Sequence, residues 1–296
     1  MWKALGKIRR LISGTSGNKN EPSALQEWDD AMLSIDALGF CIFKNLITDE
    51  QIQIMSEVLE NRTTDQDFIQ PELSKSRGGK FYFLHQHPLF LDVICRPPIM
   101  KLLTTLQGND FRLDHAFGLR DLGSYHTNLH GGERAGQGTC FYYNQYFTTG
   151  GKVHCGTIQV AIVLKGGGGP QKGGFILIPG SHKLSVQLNT AEIVKSITKG
   201  YDHPLIVTPE LEPGDVVVFP ESLVHGTKAM SQGHERIHLM YNFVPGYMSF
   251  KADFDFTKIL PHADTELKKR LLRGPGTIIS ESKEGGQQWR TSNFMK

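Results

Sequence analysis

A histidine and an arginine in the second half of the chain have the types and the spacing that metal and acid binding require. His225 follows an apolar run, DVVVFP, and a short loop, and Arg236 comes eleven residues later at the start of the run RIHLMYNFV. Histidine is the commonest metal ligand among side chains. The planar guanidinium of arginine suits bidentate capture of a small carboxylate. This spacing indicates a metal site with an acid-binding group on the neighbouring strand.

Short motifs around these two residues occur in a characteristic order. PGSHK begins at Pro179, GDVVVF at Gly214 and HGT at His225, and Arg236 follows. In that order they resemble the phytanoyl-CoA dioxygenase family of iron(II)/2-oxoglutarate oxygenases, and the resemblance covers about residues 111–247. It implies a double-stranded β-helix, a catalytic iron(II), and 2-oxoglutarate and O2 as co-substrates.

The resemblance also implies roles for individual residues. His225 matches the distal histidine ligand, Arg236 the arginine that binds the C5 carboxylate of 2-oxoglutarate, and Thr227 a hydroxyl that assists it. The proximal histidine belongs before the strand at 156–164, where His115, His126, His130 and His154 compete. We choose His130, because LHGG stands where related proteins carry a His-x-Asp motif.

The sequence departs from the family pattern at this motif, since Gly132 stands in the place of the acid and has no side chain to donate. Chloride could fill an open place there, as in halogenases of this superfamily. A carboxylate could instead come from Glu133, Asp114 or Asp121. Strand alternation disfavours Glu133, because His130 and Gly132 share a face, although consecutive glycines can break the alternation. Two histidines with 2-oxoglutarate and water could also suffice.

These alternatives lead to three functional hypotheses. The first is oxidation of a C–H bond in a small organic molecule by hydroxylation, desaturation or oxidative cyclisation, and we place it first because halogenation is a specialised activity. The second is a 2-oxoglutarate-dependent halogenase. The third is a non-catalytic, cupin-like binding protein. Tyr142 and His154 are candidates for the substrate pocket, although aromatic strand residues usually belong to the core and a lone histidine usually has a structural role.

The surrounding sequence predicts a mainly β, jelly-roll (cupin-like) fold with N-terminal helices packed on it. Apolar spacing predicts a helix at 25–38, a capping-box pattern from Thr48 to Gln51 begins a second helix that runs to about 61, and Pro97 and Gly108 bracket a third. Short β-rich runs with glycine-rich connections then follow. They are predicted at residues 111–120, 140–147, 156–164, 174–181, 204–211, 215–220 and 236–244.

The domain organisation expected from these elements has three parts. They are a basic N-terminal helix and linker at 1–23, an oxygenase domain at 24–260 with its jelly-roll core at about 111–247, and a C-terminal helix and polar tail at 261–296.

The charge and composition of the chain limit the kinds of partner that we expect it to bind. A formal net charge of +2, spread through the chain, gives no electrostatic footprint for nucleic acid. No run of eighteen apolar residues predicts a membrane span. The four cysteines lack CxxC spacing and are too few for a disulfide framework. We therefore expect reduced thiols, a cytoplasmic location and a small-molecule substrate.

Overall fold

The structure is a computed structural model of the 296-residue chain. It describes residues 24–62, 78–122, 127–131, 145–184, 188–198, 203–230, 234–251 and 254–276. The predicted N-terminal segment at 1–23 and residues 277–296 of the predicted C-terminal segment lie outside these ranges.

Three helices form in the N-terminal part where the sequence predicts them, at 24–38, 49–62 and 97–107. The α-helices are α1 (Ala24–Leu38), α2 (Asp49–Arg62), α3 (Leu89–Asp92), α4 (Pro97–Gln107), α5 (Thr190–Thr198) and α6 (Glu266–Leu271). The capping box at the start of α2 is formed, since the Thr48 hydroxyl accepts the backbone N–H of Gln51 and the Gln51 side chain accepts that of Thr48, each at 3.3 Å.

A six-stranded antiparallel sheet forms the larger of the two layers that enclose the site. Its strands lie in the order β1-β9-β7-β11-β3-β2. The strands are β1 (Cys41–Phe43), β2 (Gly78–Phe81), β3 (Phe111–Asp121), β7 (Ile158–Lys165), β9 (Val216–Pro220) and β11 (Arg236–Pro245).

A smaller three-stranded sheet lies opposite, in the order β4-β10-β8. It contains β4 (Asn128–His130), β8 (Gly174–Leu177) and β10 (His225–Lys228), and a separate hairpin is formed by β5 (Tyr146–Thr149) and β6 (Lys152–Cys155). The mainly β, double-stranded β-helix fold predicted from the sequence is confirmed.

Strand alternation divides the apolar side chains into layers. On one face of the large sheet, Val160, Val218 and Tyr241 pack against the N-terminal helices, including Ile35 and Leu103. The other face of this sheet points toward the small sheet. A separate cluster with Ile176 and Ile193 covers the outer face of the small sheet with α5. The interior between the sheets therefore holds side chains from both inner faces.

Several elements differ from the sequence prediction. Helix α3 and strands β2, β6 and β10 were not predicted. Residues 204–211 do not form a named strand, and the chain makes only isolated bridges at Val207 and Leu211. The β-rich composition of this run was misleading, because Leu211 contributes to the core from an irregular connection. Helix α5 was not predicted, and it packs Ile193 and Ile197 against the small sheet.

Candidate functional site

His130 and His225 meet across the small sheet. They are directly opposite each other in the antiparallel pairing of β4 and β10, and their ring centroids are 4.3 Å apart. The Nδ1 atom of His225 lies 2.7 Å from the carbonyl oxygen of Leu223. When that nitrogen donates its proton to the carbonyl, the lone pair of Nε2 is left for a metal.

The backbone around this pair is held by close contacts that the local sequence permits. Gly131, directly after His130, has a φ of +137°, and a Cβ atom there would lie 2.1 Å from the carbonyl oxygen of Leu223. Ser181 of the PGSHK motif accepts the backbone N–H of Val224 at 2.8 Å. The glycine allows β4 to approach the loop before β10, and the serine anchors that loop next to His225.

A third potential ligand comes from Glu221, which sequence reasoning did not identify. His130, Glu221 and His225 each offer a ligand atom, and these atoms lie within 4.8 Å of one another. Two atoms that each bind one ion at about 2.1 Å lie at most about 4.2 Å apart, so small side-chain rotations would close the group around an ion. The Nε2 atom of Gln159 donates a hydrogen bond to Oε2 of Glu221.

The position of Glu221 follows from the pairing of two buried strands. It comes directly after β9, and its backbone N–H donates to the carbonyl oxygen of Thr157 at 2.9 Å, just before β7. The available sequence signal was an acid at the end of an apolar strand, four residues before His225. The acids expected from sequence, Glu133, Asp114 and Asp121, instead lie next to His130 or on the preceding segment.

Burial favours the neutral form of both imidazoles, and repulsion from His225 adds to this effect at His130. The pKa of His130 is lowered to about 4, first by His225 and then by burial. Burial lowers the pKa of His225 to about 4. Burial raises the pKa of Glu221, and the hydrogen bond from Gln159 and the neighbouring His130 oppose this effect. Neutral imidazole is the form that coordinates a metal.

The side chains of Arg236 and Thr227 lie together. The Arg236 side chain is 1% exposed, and its Nη2 atom is 3.5 Å from Oγ1 of Thr227 and 3.3 Å from Oδ2 of the buried Asp121. Thr227 is two residues after His225 on β10, so both side chains face the same side of the strand. One strand therefore carries both the histidine that the sequence analysis assigned to metal binding and the hydroxyl that it assigned to acid binding.

A cavity of about 180 Å³ connects these two groups. Its polar lining includes His130, His225, Gln159, Thr227, Arg236, His238, Asn128 and Lys80. Its apolar lining includes Phe117, Leu119, Ala161, Phe175, Val217, Phe219 and Met240. The cavity has the form of a small-molecule site, apolar with a few convergent polar groups.

Asp114 is not brought into the group of three ligands. Its carboxylate lies 2.8 Å from both Arg112 and His115 and accepts the backbone N–H groups of Phe250 and Lys251 at 2.9 Å. A carboxylate has about four lone-pair sites, so these contacts use its capacity. Asp121 contacts Arg236 at the acid-binding end of the cavity.

The remaining candidates lie elsewhere. His154 is an exposed residue of the β5–β6 hairpin, where its ring stacks on Phe147 at 5.0 Å, and it does not line the cavity. Gly132, Glu133 and Tyr142 are outside the described residues.

None of the helices in the described part of the chain has the length and apolar character needed to cross a bilayer.

Comparison with solved structures shows where this fold occurs. HygX from Streptomyces hygroscopicus with nickel and 2-oxoglutarate bound is 19% identical, with a TM-score of 0.63, covering 74% of this chain and 88% of HygX. HygX with nickel, 2-oxoglutarate and hygromycin B is 20% identical, with a TM-score of 0.62 and the same coverage. EctD from S. alaskensis in its apoform is 15% identical, with a TM-score of 0.53, covering 79% of this chain and 81% of EctD. These similarities establish the fold.

The family is established by sequence. No curated protein sequence matches the chain. The family model of phytanoyl-CoA dioxygenase matches residues 35–237, which is more than half of the chain and includes His130, Glu221, His225 and Arg236. The chain therefore belongs to the phytanoyl-CoA dioxygenase family and is an iron(II)- and 2-oxoglutarate-dependent oxygenase.

Proposed function

We propose that this oxygenase oxidises a C–H bond of a small organic molecule, with iron(II) held by His130, His225 and Glu221. The product would be a hydroxylated, desaturated or cyclised molecule. The observation that carries this proposal is the carboxylate of Glu221 beside the two histidines, within 4.8 Å. It supplies the acid that the sequence lacks at Gly132.

The donor set fits iron(II). Two imidazole nitrogens and one carboxylate oxygen are the ligands of the facial triad in non-haem iron oxygenases. The hydrogen bonds from Gln159 to Glu221 and between His225 and Leu223 orient two of the three ligands.

The other cavity residues would bind and orient the reactants. Arg236 and Thr227 would hold the C5 carboxylate of 2-oxoglutarate. Because Thr227 is only two residues from His225 on β10, the keto-acid end of the same molecule could reach the metal. Phe175, Phe219 and Val217 would exclude water from the reacting atoms. Iron with 2-oxoglutarate and O2 supplies the oxidant that removes a hydrogen atom from the substrate.

A third protein ligand favours oxygenation over halogenation. An octahedral ion has six places, of which three protein ligands and bidentate 2-oxoglutarate fill five, leaving one for O2. A halide would need the place that Glu221 occupies in this scheme. Chlorination would therefore require Glu221 to leave the ion.

The non-catalytic binding hypothesis is disfavoured by the same cavity. A binding protein without turnover would not need Arg236 and Thr227 to bind a co-substrate. Both residues nevertheless line the same cavity as His130 and His225. The substrate is proposed to be a small organic molecule from the cavity size and from the hygromycin B complex of HygX.

The proposal is tested by Glu221→Gln, which removes the charge and keeps the shape. We expect nickel(II) and iron(II) binding, measured by anaerobic calorimetry, to weaken on the order of 100-fold, since changes even to groups that only orient ligands cost about 10- to 100-fold. The matched control is Glu210→Gln, an exposed acid before β9, which should bind as the wild type does.

Turnover gives a second test of the reaction type. Wild-type protein with iron(II), 2-oxoglutarate and O2 should form succinate whether or not chloride is present. Unchanged metal affinity in Glu221→Gln, or chlorinated product from the wild type, would contradict the proposed ligand set.

A further inference from the structure

His238 is a buried polar residue to which neither the sequence motifs nor the proposed reaction gives a role. It is 5% exposed, and its Nε2 atom has no hydrogen-bond partner in the part of the chain that the structure describes. A buried polar atom without a partner costs about 1–3 kcal/mol. Such a group in a binding cavity indicates that a ligand supplies the partner.

The strand places His238 between the acid-binding end and the rest of the cavity. Arg236, His238 and Met240 alternate along β11, share one face and all line the cavity. In the pairing of β11 with β3, Arg236 lies opposite Asp121 and His238 opposite Leu119. A dicarboxylate bound to Arg236 would therefore lie in a cavity that the His238 ring also lines.

Charge explains why Arg236 needs an additional donor. Asp121, 3.3 Å from the guanidinium, is buried and offsets part of its positive charge. A second carboxylate in this low-dielectric space would be repelled by Asp121. Neutral N–H and O–H groups can offset that repulsion without adding another buried charge.

His238 can act as such a neutral donor. Burial, followed by the charge of Arg236, holds its pKa well below the usual value of 6.5. Its imidazole therefore carries one N–H at neutral pH.

We propose that His238 is a third 2-oxoglutarate-binding residue, whose ring N–H donates a hydrogen bond to the C5 carboxylate beside Arg236 and Thr227. This inference rests on the proposed binding of 2-oxoglutarate in this cavity. The class of ligand that it predicts is a 2-oxo acid with a distal carboxylate.

The test compares His238→Leu with His238→Gln in the full chain, loaded with iron(II) under anaerobic conditions. Calorimetry should show that His238→Leu binds 2-oxoglutarate about tenfold or more weakly, since hydrogen bonds to charged groups are the stronger class. The glutamine variant keeps an N–H donor and should recover most of the affinity. Met240→Leu is the matched control on the same strand face, and its affinity should equal that of the wild type.

Two further readouts separate ligand binding from a structural role. Iron(II) affinity should be unchanged in His238→Leu. The affinity for 2-oxopentanoate, which lacks the distal carboxylate, should change by less than about twofold, because the neutral end of this ligand makes at most a weak contact with residue 238. The melting temperature of the metal-free leucine variant should equal or exceed that of the wild type, because an unpartnered buried nitrogen is removed.

The outcomes distinguish this inference from the proposed function. Wild-type protein that binds no 2-oxoglutarate overturns both. Wild-type protein that binds it while His238→Leu binds equally well overturns this inference alone. Weakened binding of both ligands with a lower melting temperature would assign His238 a structural role and would also overturn the inference.

Discussion

Arg236 serves two purposes at the scale of a single residue. It lines the cavity, where we propose that it binds a carboxylate, and it is also the buried cation beside Asp121. Removing one partner of a buried ion pair is strongly destabilising, because the remaining charge loses its compensation. A simple replacement of Arg236 therefore changes both ligand binding and folding.

We predict that Arg236→Leu weakens 2-oxoglutarate binding by about 100-fold, because charge-assisted hydrogen bonds to the carboxylate are lost. The variant should also unfold at a lower temperature. The double variant Arg236→Leu/Asp121→Asn should regain much of the melting temperature and none of the affinity. Calorimetry and thermal unfolding measure the two effects separately, and recovery of binding in the double variant would remove Arg236 from the proposed role.

At the scale of elements, the register between β4 and β10 brings together two of the proposed metal ligands. The pairing of His130 with His225 holds only if β4 passes close to the loop that contains Leu223. Gly131 permits this approach, both through its positive φ and through the absence of a Cβ atom.

We expect Gly131→Ala to lower both the melting temperature and the metal affinity, because the new methyl group would displace the strand from Leu223 and separate the two histidines. Gly108→Ala is the control, since Gly108 has a φ of +78° and nothing within 4 Å of an added Cβ. It should lose about 1–3 kcal/mol of stability from backbone strain and keep full metal affinity. Equal metal affinity in the two variants would show that the close approach is not needed.

At the scale of the whole molecule, the folding core and the site lie on opposite faces of the large sheet. The N-terminal helices cover one face with a continuous apolar cluster, and the cavity lies on the other. Stability and chemistry should therefore be separable by mutation.

Leu103 is fully buried on α4. We predict that Leu103→Ala costs about 2–5 kcal/mol of folding free energy, because apolar burial is lost and a cavity is left. The increase in melting temperature on adding nickel(II) should persist in the variant, because ligand linkage depends on the affinity of the folded state. Leu33→Ala, at a position 49% exposed, is the control and should be close to neutral. A variant that folds and no longer gains stability from nickel(II) would show that helix packing shapes the site.

Much of this organisation can be predicted from sequence because it is local or follows from alternation. The capping box at Thr48 and Gln51 uses contacts three residues apart. Apolar spacing predicts α1, and alternation along β11 puts Arg236 on the inner face while Tyr241 packs toward the helices. The order of His225, Thr227 and Arg236 also carries the family resemblance.

The proposed third ligand depends on tertiary structure. Glu221 lies 91 positions after His130 in the sequence, and the two meet because β9 pairs with β7 in one sheet while β4 pairs with β10 in the other. Pairing between distant strands is decided by the packing of the whole core, which local residue patterns do not encode. A search near His130 could only return neighbouring acids, whereas the folded chain brings in a carboxylate from the end of a different strand.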